Sequence, residues 1–185
     1  MPDLIDHAAD NPEFARVIEL ARLRDVESFA FDIAPSAAEA ARIAGLMDAQ
    51  AVRKLRFAGS LARVAGGGWQ LDALLGATVV QTCVVTLDPV TTRIDQPVRR
   101  RFLPAGAGAA REVILSPEDE DDEIDPLGDR IDLGLVAIEA LALALPPYPR
   151  KPGAALAETG IGGGTEAVKP FAALSALRDK LDGGS

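Results

Sequence analysis

Cys83 and His7 are the only thiol and the only imidazole in the chain, so a Cys–His nucleophilic centre would have to use both. Such a centre needs a base held at hydrogen-bonding distance from the thiol. His7 lies in an irregular N-terminal segment, residues 1–11, which we expect to be flexible and unsuited to holding that geometry. We therefore predict no catalytic residue and interpret Cys83 as a small core residue near a strand end. A hydrolase of unknown type stays as an alternative hypothesis.

An acidic cluster supplies the other side chains that could bind a metal ion. A structural zinc site normally takes four Cys, His or carboxylate ligands, and one cysteine with one histidine cannot form it. The cluster also lacks the glycine and the alternating ligand spacing of an EF-hand loop. We predict no metal and no cofactor, and interpret the cluster as a solvated loop or as a docking site for a basic protein partner. Its members are Glu118, Asp119, Glu120, Asp121, Asp122 and Glu123.

A basic set lies on predicted strands and is the best candidate for binding nucleic acid. Alternation along residues 91–102 places Arg99 and Arg101 on one face of a strand, with Arg100 and Phe102 on the other. A second basic group near residue 53 would extend this patch if the two strands are neighbours. The alternative is a charged edge strand that discourages aggregation. The RNA-binding candidates are Arg53, Lys54, Arg56, Arg99 and Arg101.

Composition narrows the class of protein. The chain has 185 residues, a net charge of −9 and a core that must be mainly aliphatic, because only 4% of its residues are aromatic. An overall acidic chain is poorly suited to general phosphate-backbone binding, so we expect no DNA ligand, while a local basic patch on RNA stays compatible. We find neither a secretory signal nor an apolar run long enough to span a membrane. We therefore expect a cytoplasmic protein without membrane contact.

The N-terminal part of the chain predicts a sheet interrupted by one helix. Ser36 is a candidate N-cap, and Glu39 three residues later completes a capping box for a helix that ends near Met47. A Gly-rich turn at residues 66–68 predicts a hairpin, and a further turn is predicted at residues 87–90. Pro97 indicates an edge strand or a bulge. The predicted strands are residues 12–20, 28–33, 51–64, 69–82 with 84–85, and 91–102.

The C-terminal part predicts an acidic loop, a buried helix and a tail. Residues 112–115 are a candidate short strand, and residues 116–129 are too charged to pack, which predicts a loop that is mobile at least in part. Asp132 is a candidate N-cap for a helix over residues 133–145, which is apolar nearly all round and is expected to be deeply buried. Residues 151–169 have the composition of a flexible linker. Residues 170–182 predict a short amphipathic tail helix with an apolar stripe formed by Phe171, Leu174, Leu177 and Leu181.

These elements predict an α+β fold. We expect a curved antiparallel sheet, open or barrel-like, with two main helices and a short C-terminal helix. One domain spans residues 12–150 and includes the acidic loop, 116–129. It is flanked by the N-terminal segment 1–11, the linker 151–169 and the tail helix 170–182.

The order of these features resembles the YceD proteins, a domain of unknown function numbered 177 and named for accumulation of large-subunit ribosomal RNA. The start at Pro12-Glu13-Phe14 and the tail at Phe171–Lys180 are similar to the alphaproteobacterial branch. The resemblance covers most of the chain from Pro12 to about Pro152. It rests on the Cys83–Val90 turn, the strand ending at Phe102, the acidic segment, and the closing Ile131–Pro146.

The resemblance implies a non-enzymatic role in the synthesis, processing or stability of 23S rRNA or its precursor. It also implies a large-subunit ribosomal protein as a partner. A protein-only adaptor, in which the acidic loop binds a basic partner, is the alternative. Many relatives have a Cys-x-x-Cys pair where this chain has Cys83-Val84-Val85-Thr86, so a metal-binding role does not carry over.

Overall fold

The computed structural model describes residues 5–6, 12–104 and 123–154. Within these ranges two helices accompany eight strands, and a single 3₁₀ turn at Leu20–Leu23 follows the second strand. The elements are β1 (Ile5–Asp6), β2 (Val17–Glu19), β3 (Ser28–Ile33), α1 (Ala37–Leu46), β4 (Ala51–Val64), β5 (Gly68–Thr82), β6 (Pro89–Pro104), β7 (Glu123–Leu127), β8 (Arg130–Asp132) and α2 (Leu133–Ala144).

The strands form two sheets, which confirms the α+β prediction. The larger sheet has the order β3-β4-β5-β6-β7, and the smaller has the order β1-β2-β8. Pairing is antiparallel throughout, except that β7 runs parallel to β6. In the described ranges β3 and β7 are the two edges of the larger sheet, so a barrel-like closure is not confirmed.

The β4–β5 hairpin forms as its sequence predicts. Gly66 and Gly67 adopt φ values of 89° and 81° in its turn, a left-handed conformation that suits glycine. Register shifts by one residue between Arg53 and Arg56, and Lys54 has a φ of 52° in this bulge. The extra residue keeps both Val52 and Leu55 on the buried side, because two residues of β4 then oppose one of β5.

Alternation along the larger sheet separates a buried face from an exposed one. The buried face packs against α1, α2 and the smaller sheet, and its side chains are mostly aliphatic with a few aromatic rings. Phe31 and Phe57 contact each other there, with ring centroids 5.3 Å apart. The fully buried residues of this core include Phe57, Leu61, Leu71, Leu75, Val79, Leu133 and Leu141.

Helix α1 is joined to the smaller sheet by a buried ion pair. Ser36 and Glu39 form the predicted capping box, in which the Ser36 N–H donates to Glu39 at 2.7 Å. The guanidinium of Arg16 donates to both Glu39 oxygens at 2.9 and 3.1 Å. The same guanidinium lies 4.3 Å from the ring centroid of Phe14. Arg16, which directly precedes β2, therefore ties the smaller sheet to the N-terminal cap of α1.

This ion pair predicts a loss of stability in acid. The hydrogen bond from Arg16 lowers the pKa of Glu39 from 4.5 to about 2. A lowered folded-state pKa stabilises the fold above pH ~4.5, and that contribution is lost as the pH falls toward ~2. At pH 7 we expect Glu39→Gln to lower the free energy of unfolding by about 2 kcal/mol. Urea unfolding should show that the difference in unfolding free energy between the parent and Glu39→Gln narrows below pH ~4.5. A difference that stays constant down to pH ~3 would contradict the lowered pKa of Glu39.

Helix α2 is capped and positioned as predicted, but it is not buried all round. The Asp132 carboxylate accepts hydrogen bonds from the backbone N–H groups of Gly134 and Leu135. The helix buries one side against the core, while Leu135 and Leu143 stay 46% and 78% exposed. The prediction of deep burial was wrong for this side, because no described element covers it. No helix in the described ranges has the length and apolar character needed to cross a membrane.

Three other predicted boundaries are corrected by the structure. Of the first predicted strand, only Val17–Glu19 pairs, and residues 12–14 form a turn. Residues 84–85 do not extend β5 but lie in a turn that joins it to β6, where Cys83 N–H donates to the Asp88 carbonyl oxygen. Part of the predicted acidic loop forms β7 (Glu123–Leu127). The predicted strand at 112–115, the tail helix and most of the linker lie outside the described residues.

Candidate nucleic-acid interface

The exposed face of the five-stranded sheet, here called the outer face, carries the arginines of the predicted strand. Arg99 pairs in register with Asp72 of β5, and Arg101 pairs with Gln70. Arg99 Nε lies 3.4 Å from the Asp72 carboxylate, and its side chain stays 65% exposed. Arg101 Nε donates to Gln70 Oε1 at 2.8 Å. The predicted alternation is confirmed, because Arg100 and Phe102 are buried on the opposite face.

The other basic candidates lie on the same face but not beside Arg99 and Arg101. Strand β5 separates β4 from β6, and Arg53 is level with Thr78 while Arg56 is level with Gly76. At ~3.3 Å per residue, Arg56 and Arg53 lie about 13 and 20 Å along the sheet from the position of Arg99, which is level with Asp72. Lys54 is exposed in the β4 bulge. The five candidates therefore lie at the two ends of one sheet surface rather than in a single cluster.

Arg93 belongs to this surface and was not among the predicted candidates. It is level with Thr78, as Arg53 is on the other side of β5. Its guanidinium lies over Gly76, where an added Cβ would stand 2.8 Å from Nη2. It also forms a bidentate ion pair with Asp95. The signal was in the alternation, since residues 93, 99 and 101 are all odd-numbered positions of one strand.

Aspartates accompany the arginines of the outer face. Arg56 pairs with Asp32 across β3 and β4 and holds the pKa of Asp32 below its usual range. Arg93 likewise lowers the pKa of Asp95 through a side-chain hydrogen bond. These carboxylates stay ionised, so the surface alternates in sign. Among the described residues, this face nevertheless carries five arginines, at 53, 56, 93, 99 and 101, against three aspartates, at 32, 72 and 95.

The centre of the outer face is small and apolar rather than aromatic. Leu74 is 55% exposed there, between Ala58 of β4 and Pro97 of β6. The sheet's aromatic side chains all lie on the buried face or pack against the core, among them Phe31, Phe57, Trp69 and Phe102. Base stacking usually needs exposed aromatic rings. A nucleic acid on this face would therefore be bound through its phosphates.

Arg100 has a structural role instead. Its buried guanidinium lies 2.6 Å from the Glu139 carboxylate on α2 and 3.2 Å from the Asp125 carboxylate on β7. One side chain thus connects β6, β7 and the closing helix.

The acidic candidates are only partly described. Glu123 is the first residue of β7 and is level with Arg100. Glu118, Asp119, Glu120, Asp121 and Asp122 lie outside the described residues. Glu123 therefore places the C-terminal end of the acidic cluster at the sheet edge nearest Arg99 and Arg101.

Cys83 is buried at the end of β5, as predicted, and its sulfur accepts hydrogen bonds. Backbone N–H groups of Thr86 and Lys151 both lie 3.4 Å from Sγ. Hydrogen bonds from Thr86, first its side chain and then its backbone, lower the thiol pKa to about 6. The segments that converge here contribute N–H donors rather than metal ligands, so these residues do not fit a zinc ion. The described residues contain no cluster of three or more metal-ligating side chains.

Comparison with known proteins gives one match. The family model of YceD, described as large ribosomal RNA subunit accumulation protein, matches residues 71–178, more than half of the chain. This range contains β6, α2 and all but the first three residues of β5, with Arg93, Arg99 and Arg101, but not β4 with Arg53, Lys54 and Arg56. Neither a curated protein nor a solved structure matches the chain.

Proposed function

The chain belongs to the YceD family of large ribosomal RNA subunit accumulation proteins, and we propose that it acts as a non-enzymatic ribosome-biogenesis factor that binds RNA. In this proposal the protein supports synthesis, processing or stability of 23S rRNA or its precursor. It works in the cytoplasm, where ribosomes assemble, and a large-subunit ribosomal protein is its second partner. Family membership implies a part in rRNA accumulation, and we propose that direct RNA binding is the mechanism.

The observation that carries the RNA-binding proposal is the placement of arginines on one sheet face. Arg53, Arg56, Arg93, Arg99 and Arg101 all project from the outer face, although the whole chain has a net charge of −9. An acidic protein that places five of its fifteen arginines on one sheet face can bind phosphates there, although its net charge repels them. Without exposed aromatic rings, such binding reads the RNA backbone and is sensitive to salt.

Co-purification from cells tests the proposal. The full chain, carrying an affinity tag, is recovered from lysate with and without nuclease, and bound RNA and protein are both identified. We expect large-subunit rRNA to be recovered in the untreated sample, with binding falling steeply as salt rises. Recovery of neither rRNA nor ribosomal proteins would contradict the proposal.

The second candidate is a protein-only adaptor, and the ion pairs of the outer face favour it. Arg56, Arg93 and Arg99 each have an aspartate partner, so a phosphate would have to compete with a carboxylate already in place. In the adaptor the acidic residues Glu118–Glu123 bind a basic ribosomal protein, and RNA contact is indirect. Replacing Arg99 and Arg101 by glutamate separates the two candidates, because RNA recovery should fall if these arginines bind RNA and should survive if RNA contact is indirect.

A further inference from the structure

An apolar strip of α2 faces solvent and has no partner among the described residues. Leu135, Ala142 and Leu143 are exposed along one side of the helix, with Glu139 between them. Positions i, i+4, i+7 and i+8 form one face of a helix. Clefts of about 590 and 260 Å³ lie on the two sides of Leu143. Contiguous exposed apolar surface of this kind usually marks a contact site.

The length and the starting point of the remaining chain indicate what covers this strip. The described chain ends at Ala154, after Val84 N–H binds the Pro149 carbonyl oxygen and Lys151 N–H binds Cys83 Sγ. These bonds hold the exit point near the C-terminal end of α2. The Gly-rich sequence of residues 155–169 predicts a linker that can reach about 20 Å, which is comparable to the ~18 Å length of α2.

The sequence beyond that linker matches the strip in length and chemistry. Phe171, Leu174, Leu177 and Leu181 fall on one face of the predicted tail helix and extend over about 15 Å, against about 12 Å from Leu135 to Leu143. Arg178 neighbours this stripe and is complementary to Glu139. The segment 105–122 is a poorer occupant, because its acids would meet the carboxylates of Glu139 and Asp125.

We propose that the C-terminal segment, residues 170–182, binds as a helix along the exposed strip of α2 in the same molecule. Tethering gives the segment an effective concentration of the order of millimolar, so a dissociation constant well below about 1 mM is enough to keep it bound. An isolated helix of this length is marginal in water, so its stability would come from the packing on α2. This inference is independent of the RNA-binding proposal.

Hydrogen exchange on the purified full chain tests the inference. We expect backbone amides of residues 170–182 to exchange at least tenfold more slowly than in an unstructured chain. Leu143→Glu should abolish this protection, because it places a charge in the apolar contact. Leu87→Glu is the matched control, since Leu87 is 74% exposed, much like Leu143, but lies in the β5–β6 turn. Both variants should keep the melting temperature of the parent core.

Three outcomes would overturn the inference. Exchange at the unstructured rate in the unchanged chain would show that the segment does not bind. Protection that survives Leu143→Glu would place the segment elsewhere. Protection that disappears on dilution, together with a dimeric mass, would identify a second copy as the donor of the segment.

Discussion

Replacing Arg99 and Arg101 together by glutamate should remove most of the large-subunit rRNA that co-purifies with the protein. The double change turns two positive charges into two negative ones and places a new carboxylate directly beside Asp72, the cross-strand partner of position 99 on β5. An RNA phosphate that had paired with these arginines would then be repelled by the glutamates. We expect an affinity loss of roughly tenfold or more and a salt dependence shallower by about two phosphate contacts.

A charge-matched control separates a local effect from a general one. Arg24→Glu with Arg42→Glu changes the net charge equally, but these exposed side chains lie on the 3₁₀ turn segment and on α1, away from the outer face. Filter binding of an rRNA fragment across a salt series measures both variants. An equal loss in the two would show that overall charge matters rather than the outer face. An unchanged affinity in the first would place RNA binding away from Arg99 and Arg101, whereas no binding by the unchanged protein would favour the adaptor.

Replacing Gly134 by alanine is expected to destabilise the protein severely. An added Cβ would overlap the carbonyl oxygen of Phe14. Two hydrogen bonds hold the start of α2 against the segment of Phe14, so the two backbones cannot easily move apart. Leu133 N–H donates to the Arg16 carbonyl oxygen at 3.0 Å, and Arg16 N–H donates to the Asp132 carboxylate at 2.9 Å. Forced overpacking of this kind costs about 3 kcal/mol or more, a large part of a typical domain's stability.

Gly45→Ala is the matched control for Gly134→Ala, because it makes the same change in the other helix where nothing lies within 4 Å of the added Cβ. We expect it to be neutral or to stabilise by up to about 1 kcal/mol, as alanine favours helix. Urea unfolding followed by circular dichroism gives both values. Equal stability of the two variants would show that the contact between α2 and Phe14 can relax.

Local patterns were sufficient to predict much of the fold. The capping box at Ser36 and Glu39, the turn at residues 66–68 and the N-cap at Asp132 each bind backbone groups only a few residues away. Their signals are therefore contained in short stretches of sequence. The bounds of β3 followed from alternation, because one face of that strand is buried. Those of β4 followed from its apolar positions and the turn after it, since its bulge interrupts the alternation.

Long-range pairing could not be predicted in the same way. The parallel pairing of Arg100 with Glu123 depends on a return of the chain that no local pattern encodes. The high charge of residues 116–129 favoured a loop, yet a neighbouring strand and the buried Arg100 compensate for acidic residues such as Asp125. The exposed side of α2 was missed for a related reason. An apolar helix indicates burial, but not which element supplies the cover.

In the candidate interface, too, local patterns could be predicted from the sequence and long-range pairing could not. Strand alternation correctly grouped Arg99 with Arg101, and it would also have included Arg93 if applied to the whole strand. It could not show that β5 lies between β4 and β6, which places Arg53 and Arg56 at the far end of the surface. The aspartates that pair with Arg56 and Arg99 were equally hidden, because each comes from another strand. Asp95 lies two residues from Arg93 on β6 itself.

The contact of Arg16 with Asp132 has a consequence for how the chain is made. These residues are 116 positions apart, and β2 pairs with β8 over a similar span. Closing so long a loop is slow compared with forming the β4–β5 hairpin, whose strands are joined by three residues. During synthesis from the N-terminus, the hairpin can form early, while β2 can pair only with the two-residue β1 until residue 132 leaves the ribosome. The pairing of β2 with β8 is therefore the last to form in the smaller sheet. A chain stopped before α2 would expose β2 to proteases and to aggregation.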